Sequence, residues 1–193
     1  MTESDVVRRA KEGDKQAFAE LVSTYNERIY NLALRILRNR EDAEDILQET
    51  FLTVLQKLNT FDGRSNFFTW IYRIATNAAL MKLRKKKLVY ADVPDNPDLS
   101  SRNEERSFVD WSQDPLITIQ NKEIKEIIDS AISQLSDLYR SVFILRDIEQ
   151  LSIRETSKIL NISEENVKIR LRRARLFLRE KIQEYYEGSV LSL

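Results

Sequence analysis

The sequence predicts an all-α protein built as two small helical domains joined by an extended acidic linker. Three observations carry that expectation. The 193 residues include three glycines, and strand-like alternation is absent while apolar residues recur at spacings of three and four. All three prolines, Pro94, Pro97 and Pro115, fall within 88–121, where no helical apolar period runs. That stretch also holds seven acidic residues against two arginines, a net charge of −5, which suits an extended tether. The chain thus divides into an N-terminal domain over 1–87, a linker over 88–121 and a C-terminal domain over 122–187.

In the first domain, Gly13 is placed to end a short opening helix and Asp14 to cap the next. That second helix carries Phe18, Leu21, Val22, Tyr25, Ile29, Leu32, Ala33 and Ile36 at helical spacing. A third, over 41–58, presents Ala43, Ile46, Leu47, Phe51, Val54, Leu55 and Leu58. Its early part, "REDAEDILQE", carries Glu41, Asp42, Glu44, Asp45 and Glu49 beside Gln48. Acids stabilise a helix N-terminus through the dipole, but five exceed what capping requires, so a docking role stands beside the structural one.

"NTFDGRS" breaks the third helix, and "SNFFTWIYRIATNAALMKLRKKK" (residues 65–87) forms the fourth. A helical wheel places Phe67, Ile71, Ile74, Ala78 and Met81 on one stripe, expected to be core. Trp70, Arg73, Asn77 and Arg84 share a flank that joins an aromatic face, an amide and two cations, the composition of a nucleic-acid surface. Phe68, Tyr72 and Leu83 lie on the other flank and are expected to pack against neighbouring helices. The closing Lys85, Lys86 and Lys87 also suit a helix C-terminus.

In the second domain, "LSIRETSKILNISEENVKIRLRRARLFLRE" (151–180) is the most specific stretch. Ser152 and Glu155 form a capping box that opens a helix reaching about Leu160. "NIS" is a tight turn, and Ser163 can cap a second helix. Two helices across so short a turn describe a helix-turn-helix, whose second helix can enter the major groove. Val167, Leu171, Ala174 and Leu178 cluster as its buried stripe. Lys168, Arg172, Arg175 and Arg179 gather on an exposed flank, with Ile169 and Arg173 almost opposite the core. Residues 165–181 hold seven basic and two acidic residues, a net charge of +5 suited to phosphate contact and counterion release. Arginine can also read guanine with two hydrogen bonds, and Ile169 can meet a thymine methyl. The plainer alternative is a solvated amphipathic helix or a docking surface for an acidic protein.

Composition narrows the chemistry. The chain has no cysteine and no histidine, which excludes disulfides and thiolate metal sites and removes the commonest general base. No nucleophile–base pair can be nominated, and no cofactor or metal motif is present, so no enzyme and no cofactor are expected. No apolar run approaches the roughly 20 residues that span a bilayer, and "MTESDVVRRAKEGD" lacks the core of a signal peptide. A cytoplasmic protein without membrane insertion is expected. The 31 basic and 31 acidic residues balance, but they are sorted along the chain.

Taken together, these segments resemble an RNA polymerase sigma factor of the extracytoplasmic-function (ECF) type, within the sigma-70 family. "GDKQAFAELVSTYNERIYNLALRILRNREDAEDILQETFLTVL" and "FDGRSNFFTWIYRIATN" resemble its region 2, and the segment from "LSDLYRSVFILRDIEQ" through "LFLRE" resembles its region 4. The resemblance implies a transcription initiation factor that binds core polymerase, directs it to −10/−35 promoters and promotes strand opening. It implies a stress or envelope response under a sequestering anti-sigma protein. Asp42, Glu44, Asp45, Gln48 and Glu49 would dock on the clamp helices of the largest polymerase subunit. Base capture at the −10 element falls to the loop Phe61, Asp62, Gly63, Arg64, Ser65, Asn66 and Phe67, beside Trp70, Arg73, Asn77 and Arg84. Asn166, Lys168, Ile169, Arg172 and Arg173 would contact the −35 element, with Arg170 and Arg175 holding phosphates. Two departures matter: many family members carry an aspartate where this chain has Met81, and a basic residue is common in place of Phe68. The linker, which in the family threads positively charged polymerase channels, is either a nucleic-acid mimic or a solvated spacer. On residues alone, a DNA-binding regulator outside the polymerase and an all-helical adaptor stay open as other classes.

Overall fold

The computed structural model describes residues 2–91 and 122–190, and among these every regular element is helical. Most of the expected acidic linker (92–121) lies outside the described residues, and its first four positions belong to a helix instead. The chain divides into two compact units, one within Met1–Arg106 and one within Ser107–Leu193.

In the first unit, α1 spans Glu3–Lys11. Thr2 opens it with a capping box: its hydroxyl accepts from the Asp5 amide, and the Asp5 carboxylate accepts from the Thr2 amide. Gly13, at φ 90°, supplies the left-handed turn that a side chain would strain. Asp14 then caps α2 (Lys15–Leu37), accepting from the Gln16 and Ala17 amides. Its Oδ2 also takes Arg9 Nη2 at 2.5 Å, which ties the two helices at their junction. Helix α2 ends at Arg38 in the left-handed region, and Asn39 immediately caps α3 (Arg40–Lys57). A single 3₁₀ turn, Leu58–Thr60, leads into a loop, and α4 runs Phe67–Ala91. Helix α2 is the spine: it packs against α1, α3 and α4, burying Leu21, Tyr25, Ile29, Leu32 and Ile36.

The core stripe of α4 differs from the wheel's reading. Ile71, Tyr72, Ala75, Thr76, Ala79 and Leu80 are buried, whereas Met81, expected to be core, is 55% exposed. The physical reason is that α4 packs against both α2 and α3, so its buried arc is broad and centred on the Tyr72–Ala75–Ala79 side. Leu55, expected among the apolar positions of α3, is 59% exposed as well.

The second unit is organised on α8 (Glu164–Val190), against which α5 (Lys122–Gln134), α6 (Asp137–Phe143) and α7 (Ile153–Leu160) pack. A π-helical turn, Ile144–Ile148, extends α6, closed by the Glu149 amide on the Ile144 carbonyl at 2.8 Å. Such widened turns are rare and occur mostly as single turns within helices. The Ser152–Glu155 capping box is present in both directions, and Asn161 takes the left-handed conformation that ends α7. Ser163 Oγ accepts from the Asn166 amide at the start of α8. Val142, Val167 and Leu171 form the core of the helix-turn-helix, with Phe143, Ile153, Leu160 and Ile162 around them.

Candidate nucleic-acid and polymerase surfaces

Three surfaces hold the residues singled out in the sequence. The first is the loop between the 3₁₀ turn and α4. Asp62 Oδ1 accepts from the Arg64 amide at 3.0 Å and its other oxygen pairs with Arg64 Nε, while Gly63 sits at φ 73°. This local turn leaves Asp62, Gly63, Arg64 and Asn66 exposed and Ser65 half-buried. The loop ends are not exposed. Phe61 and Phe67 are buried against each other (5.6 Å between centroids), and Trp70 joins both at 5.3 and 5.6 Å. Tyr25 completes the cluster, edge-on to Phe67 at 5.5 Å.

That cluster corrects the reading of Trp70 as an open stacking face. Its position on the wheel does lie with Arg73 and Asn77, but Phe61 folds over the first turn of α4 and leaves the indole 8% exposed. Phe61 and Phe67 likewise anchor the loop from below, with most of each ring covered. Among the α4 residues whose burial is described, Arg73, Asn77, Met81 and Arg84 form an exposed row, with Lys85 exposed beside it. At 100° per residue the members of the row lie within about 80° of one another. Met81 therefore belongs to the candidate DNA strip, where the sequence had assigned it to the core.

The second surface is α3. Its acidic first turns split in two. Asp42 is buried against α4, where Lys82 Nζ lies 3.0 Å from Oδ1 and Lys86 Nζ 2.5 Å from Oδ2. Asp45 is exposed but also takes Lys82, at 2.6 Å. Burial pushes the Asp42 carboxyl up, yet the hydrogen bonds from Lys86 and Lys82 outweigh it and hold the group below the usual carboxylate range. Lys86, read as part of a charged helix end, is thus a clamp between two helices, and α4 continues beyond it. Asp42 is withdrawn as a docking contact by this burial; Glu44, Gln48 and Glu49 stay exposed. One turn further on, Leu52 and Leu55 are each 59% exposed and continue the Glu44–Gln48–Glu49 face. Sequence reasoning missed this pair because helical spacing alone assigns leucine to the core. Two large apolar side chains left in solvent at adjacent turns are the observation that marks a contact surface.

The third surface is α8. Val167, Leu171, Ala174 and Leu178 are buried, as the wheel predicts. Asn166, Lys168, Arg172, Arg173 and Arg179 are exposed, and Ile169 is 41% exposed among them. Leu176, also exposed, adds an apolar patch to the same basic face. Two arginines differ from expectation. Arg170 is half-buried on the far side of the stripe. Arg175 is committed within the unit: Nε and Nη2 donate to the two carboxylate oxygens of Asp147 at 2.8 and 2.6 Å. Asp147 sits on the π-helical turn, so the widened turn delivers the carboxylate that braces α8. This pair, led by the Asp147 hydrogen bonds, raises Arg175 above its ordinary value. Arg173 Nη1 donates to the Tyr139 hydroxyl at 3.2 Å, which fixes its side chain across the face of α6.

The geometry of a two-unit helical protein with a helix-turn-helix in its second unit agrees with what known proteins show. The chain matches the family model for Sigma-70 region 2 over residues 21–89 and that for Sigma-70 region 4 over 125–178. It is 36% identical over 181 residues to the ECF RNA polymerase sigma factor SigW of Bacillus subtilis, covering 92% of this chain and 95% of that one. It is 31% identical over 187 residues to the ECF RNA polymerase sigma-E factor of Haemophilus influenzae, covering 95% and 96%. The fold is shared with the sigma factor RpoE of Bartonella quintana, solved with the anti-sigma factor NepR, at a TM-score of 0.65 and 20% identity over 86% of this chain and 96% of that one. The chain belongs to the sigma-70 family, in its ECF class of RNA polymerase sigma factors. Members of that family are transcription initiation factors. Among the described residues no helix is long and apolar enough to cross a membrane.

Proposed function

We propose that this protein binds core RNA polymerase through the exposed face of α3, directs it to a two-part promoter and holds the separated strand without covalent chemistry of its own. The observation that carries the reading is the pairing of two polar strips on separate units. Arg73, Asn77, Met81 and Arg84 lie on α4, and Lys168, Ile169, Arg172 and Arg173 lie on α8. The α4 strip and the loop 62–66 would engage the −10 element, and the α8 face the −35 element. The clamp helices of the largest polymerase subunit are the proposed seat of Glu44, Asp45, Gln48 and Glu49, now joined by Leu52 and Leu55 as apolar anchors. In this reading phosphodiester chemistry belongs to the polymerase, and the protein is a cytoplasmic factor and no enzyme.

Control by a sequestering anti-sigma protein is part of the same proposal, supported by the RpoE–NepR complex. The second unit offers such a partner a groove of about 1100 Å³, lined by Ile128, Ile132, Phe143, Leu178 and Ile182. The deciding experiment is transcription by purified core polymerase on a randomised promoter library, with and without the protein. Specific start sites that appear only with the protein are expected; their absence overturns the reading.

A further inference from the structure

A cavity of about 390 Å³ opens in the first unit between α1 and the loop that leads into α4. Its volume falls in the range of small-ligand sites, roughly 300–1,000 Å³. Val7, Phe61 and Phe67, all buried, form an apolar and largely aromatic floor. The rim is polar on both sides, with Glu3 and Arg8 of α1 across from Asp62 and Asn66 of the loop. A base taken out of a stack needs this combination: an apolar surface for its ring and hydrogen-bonding groups for its edge.

The two walls are tied to each other. Lys11 Nζ, on α1, donates to the Phe61 carbonyl at 2.8 Å, which holds the start of the loop against the helix. The Tyr25 hydroxyl donates to Glu3 Oε1, and the Tyr25 ring packs on Phe67, so the far end of α1 is fixed to the same aromatic cluster. A carboxylate accepts hydrogen bonds and donates none, and its two oxygens offer about four lone-pair directions. With one direction used by Tyr25, Glu3 retains acceptor capacity at the rim.

We propose that α1 is the second wall of a base-capture pocket, in which Glu3 favours a base bearing an exocyclic amino group over thymine. This rests on the strand-opening reading above and adds to it a specificity determinant on a helix that reading leaves unused. Adenine, cytosine and guanine each present an amino group that can donate to a carboxylate. Thymine meets it with carbonyl oxygens and a single ring N–H, and its O4 and O2 are repelled.

Two arms test the idea with the full chain. In the first, holoenzyme with core polymerase transcribes from a library randomised across the −10 region, with wild type, Glu3→Gln and Ser4→Trp compared. Glu3→Gln keeps an acceptor for Tyr25 but removes the charge, and Ser4→Trp plugs the rim from an exposed position. Wild type is expected to disfavour thymine at one position, and Glu3→Gln to relax that preference roughly tenfold. Ser4→Trp is expected to lower initiation broadly with an unchanged thermal midpoint. Either an unaltered base preference in Glu3→Gln or full activity of Ser4→Trp overturns the pocket, while start sites in the library leave the proposed function standing. In the second arm, the chain alone is titrated with fluorescent single-stranded oligonucleotides that differ at one central base. If no transcript starts, the functional reading falls and this arm decides the pocket. Discrimination against thymine that Glu3→Gln abolishes supports it, and equal binding of all bases overturns it.

Discussion

In the function proposed above, helices α4 and α8 share one task, to present polar residues to DNA, yet they are built into their units in opposite ways. Helix α8 meets α5, α6 and α7 along one buried stripe, Val167–Leu171–Ala174–Leu178, and leaves the opposite face to solvent. Helix α4 is held by α2 and α3 together, and the loop after the 3₁₀ turn covers its first turn. The outcome is a wide cationic face on α8 and a narrow strip on α4, where an amide and a thioether separate two arginines. The comparison teaches that exposure on a helix is set by how its neighbours are distributed around it, and that the helix's own apolar pattern alone cannot supply it.

The sharpest way to break this comparison is Trp70→Ala. If the indole is a core element, its loss removes a large buried aromatic and costs about 3–5 kcal/mol, read as a fall in the thermal midpoint of the first unit. Arg73→Ala, on the same angular flank but exposed, should leave the midpoint unchanged and impair strand opening. A Trp70→Ala protein that melts like wild type but fails to open a promoter would return Trp70 to the DNA surface.

The same contrast explains what the sequence could and could not disclose. Features decided within a few residues were legible: the Asp14 cap after Gly13, the Ser152–Glu155 box, Ser163 at the second turn, and the stripe of α8. Each depends on chemistry between near neighbours or on one helix meeting one surface. The misreadings all involve distant partners. Asp42 is buried by lysines 40 and 44 positions away, and Trp70 is covered by a loop residue. Arg175 is claimed by a carboxylate that only a π-helical turn brings within reach. Leu52 and Leu55 were hidden for the converse reason, since nothing in helical spacing distinguishes a leucine awaiting a partner from one already packed.

The second prediction sharpens the cationic side. Arg172→Ala should weaken binding of a −35 promoter fragment by about 1–3 kcal/mol, if it makes a direct base contact, and reduce the salt dependence by about one counterion. Arg175→Ala should behave differently, because its guanidinium already serves Asp147. The exposed pair contributes at most about 1 kcal/mol to stability, and DNA affinity should fall far less than for Arg172→Ala. Equal losses for the two variants, measured by fluorescence anisotropy across a salt series, would show that α8 draws no such distinction.

A third prediction concerns the clamp that fixes α4 against α3. Asp42 lies below its ordinary value of 3.8, because the hydrogen bonds from Lys86 and Lys82 exceed the opposing effect of burial. Lys82 lies above its ordinary 10.5, because Asp45 and Asp42 outweigh the burial that would lower it. A depressed carboxyl stabilises the fold above its unfolded pKa, and that contribution is lost as the pH falls through the folded one. A raised ammonium stabilises below its unfolded pKa, and that contribution is lost as the pH rises through the folded value. The contribution of the clamp is therefore present from above the ordinary carboxylate value of 3.8 to below the ordinary ammonium value of 10.5. It is lost only as the pH falls through the lowered Asp42 value or rises through the raised Lys82 value. Asp42→Asn should lower the neutral-pH stability of the first unit by about 2 kcal/mol and flatten its acid limb, as followed by circular dichroism. An acid limb identical to wild type would mean that the pair is not coupled to folding.

The smallest expected effect on stability is also the most informative about the α4 strip. Met81 is exposed on the row with Arg73, Asn77 and Arg84, so Met81→Ala should change stability by no more than about 0.5 kcal/mol. A core methionine would cost about 2–5 kcal/mol, and the two cases are easily separated by thermal melting. Exposure alone makes the side chain available; its chemistry decides what it can read. A thioether is flexible, polarisable and uncharged, so it suits an unstacked ring or a thymine methyl and tolerates several bases. A carboxylate at the same position would repel phosphate and accept from an amino group. Met81→Asp should therefore alter the −10 preference recovered from a randomised library without lowering the thermal midpoint. If the midpoint holds and the recovered motif is unchanged, Met81 lies on the strip without touching the strand, and the DNA-facing part of α4 contracts to Arg73 and Asn77.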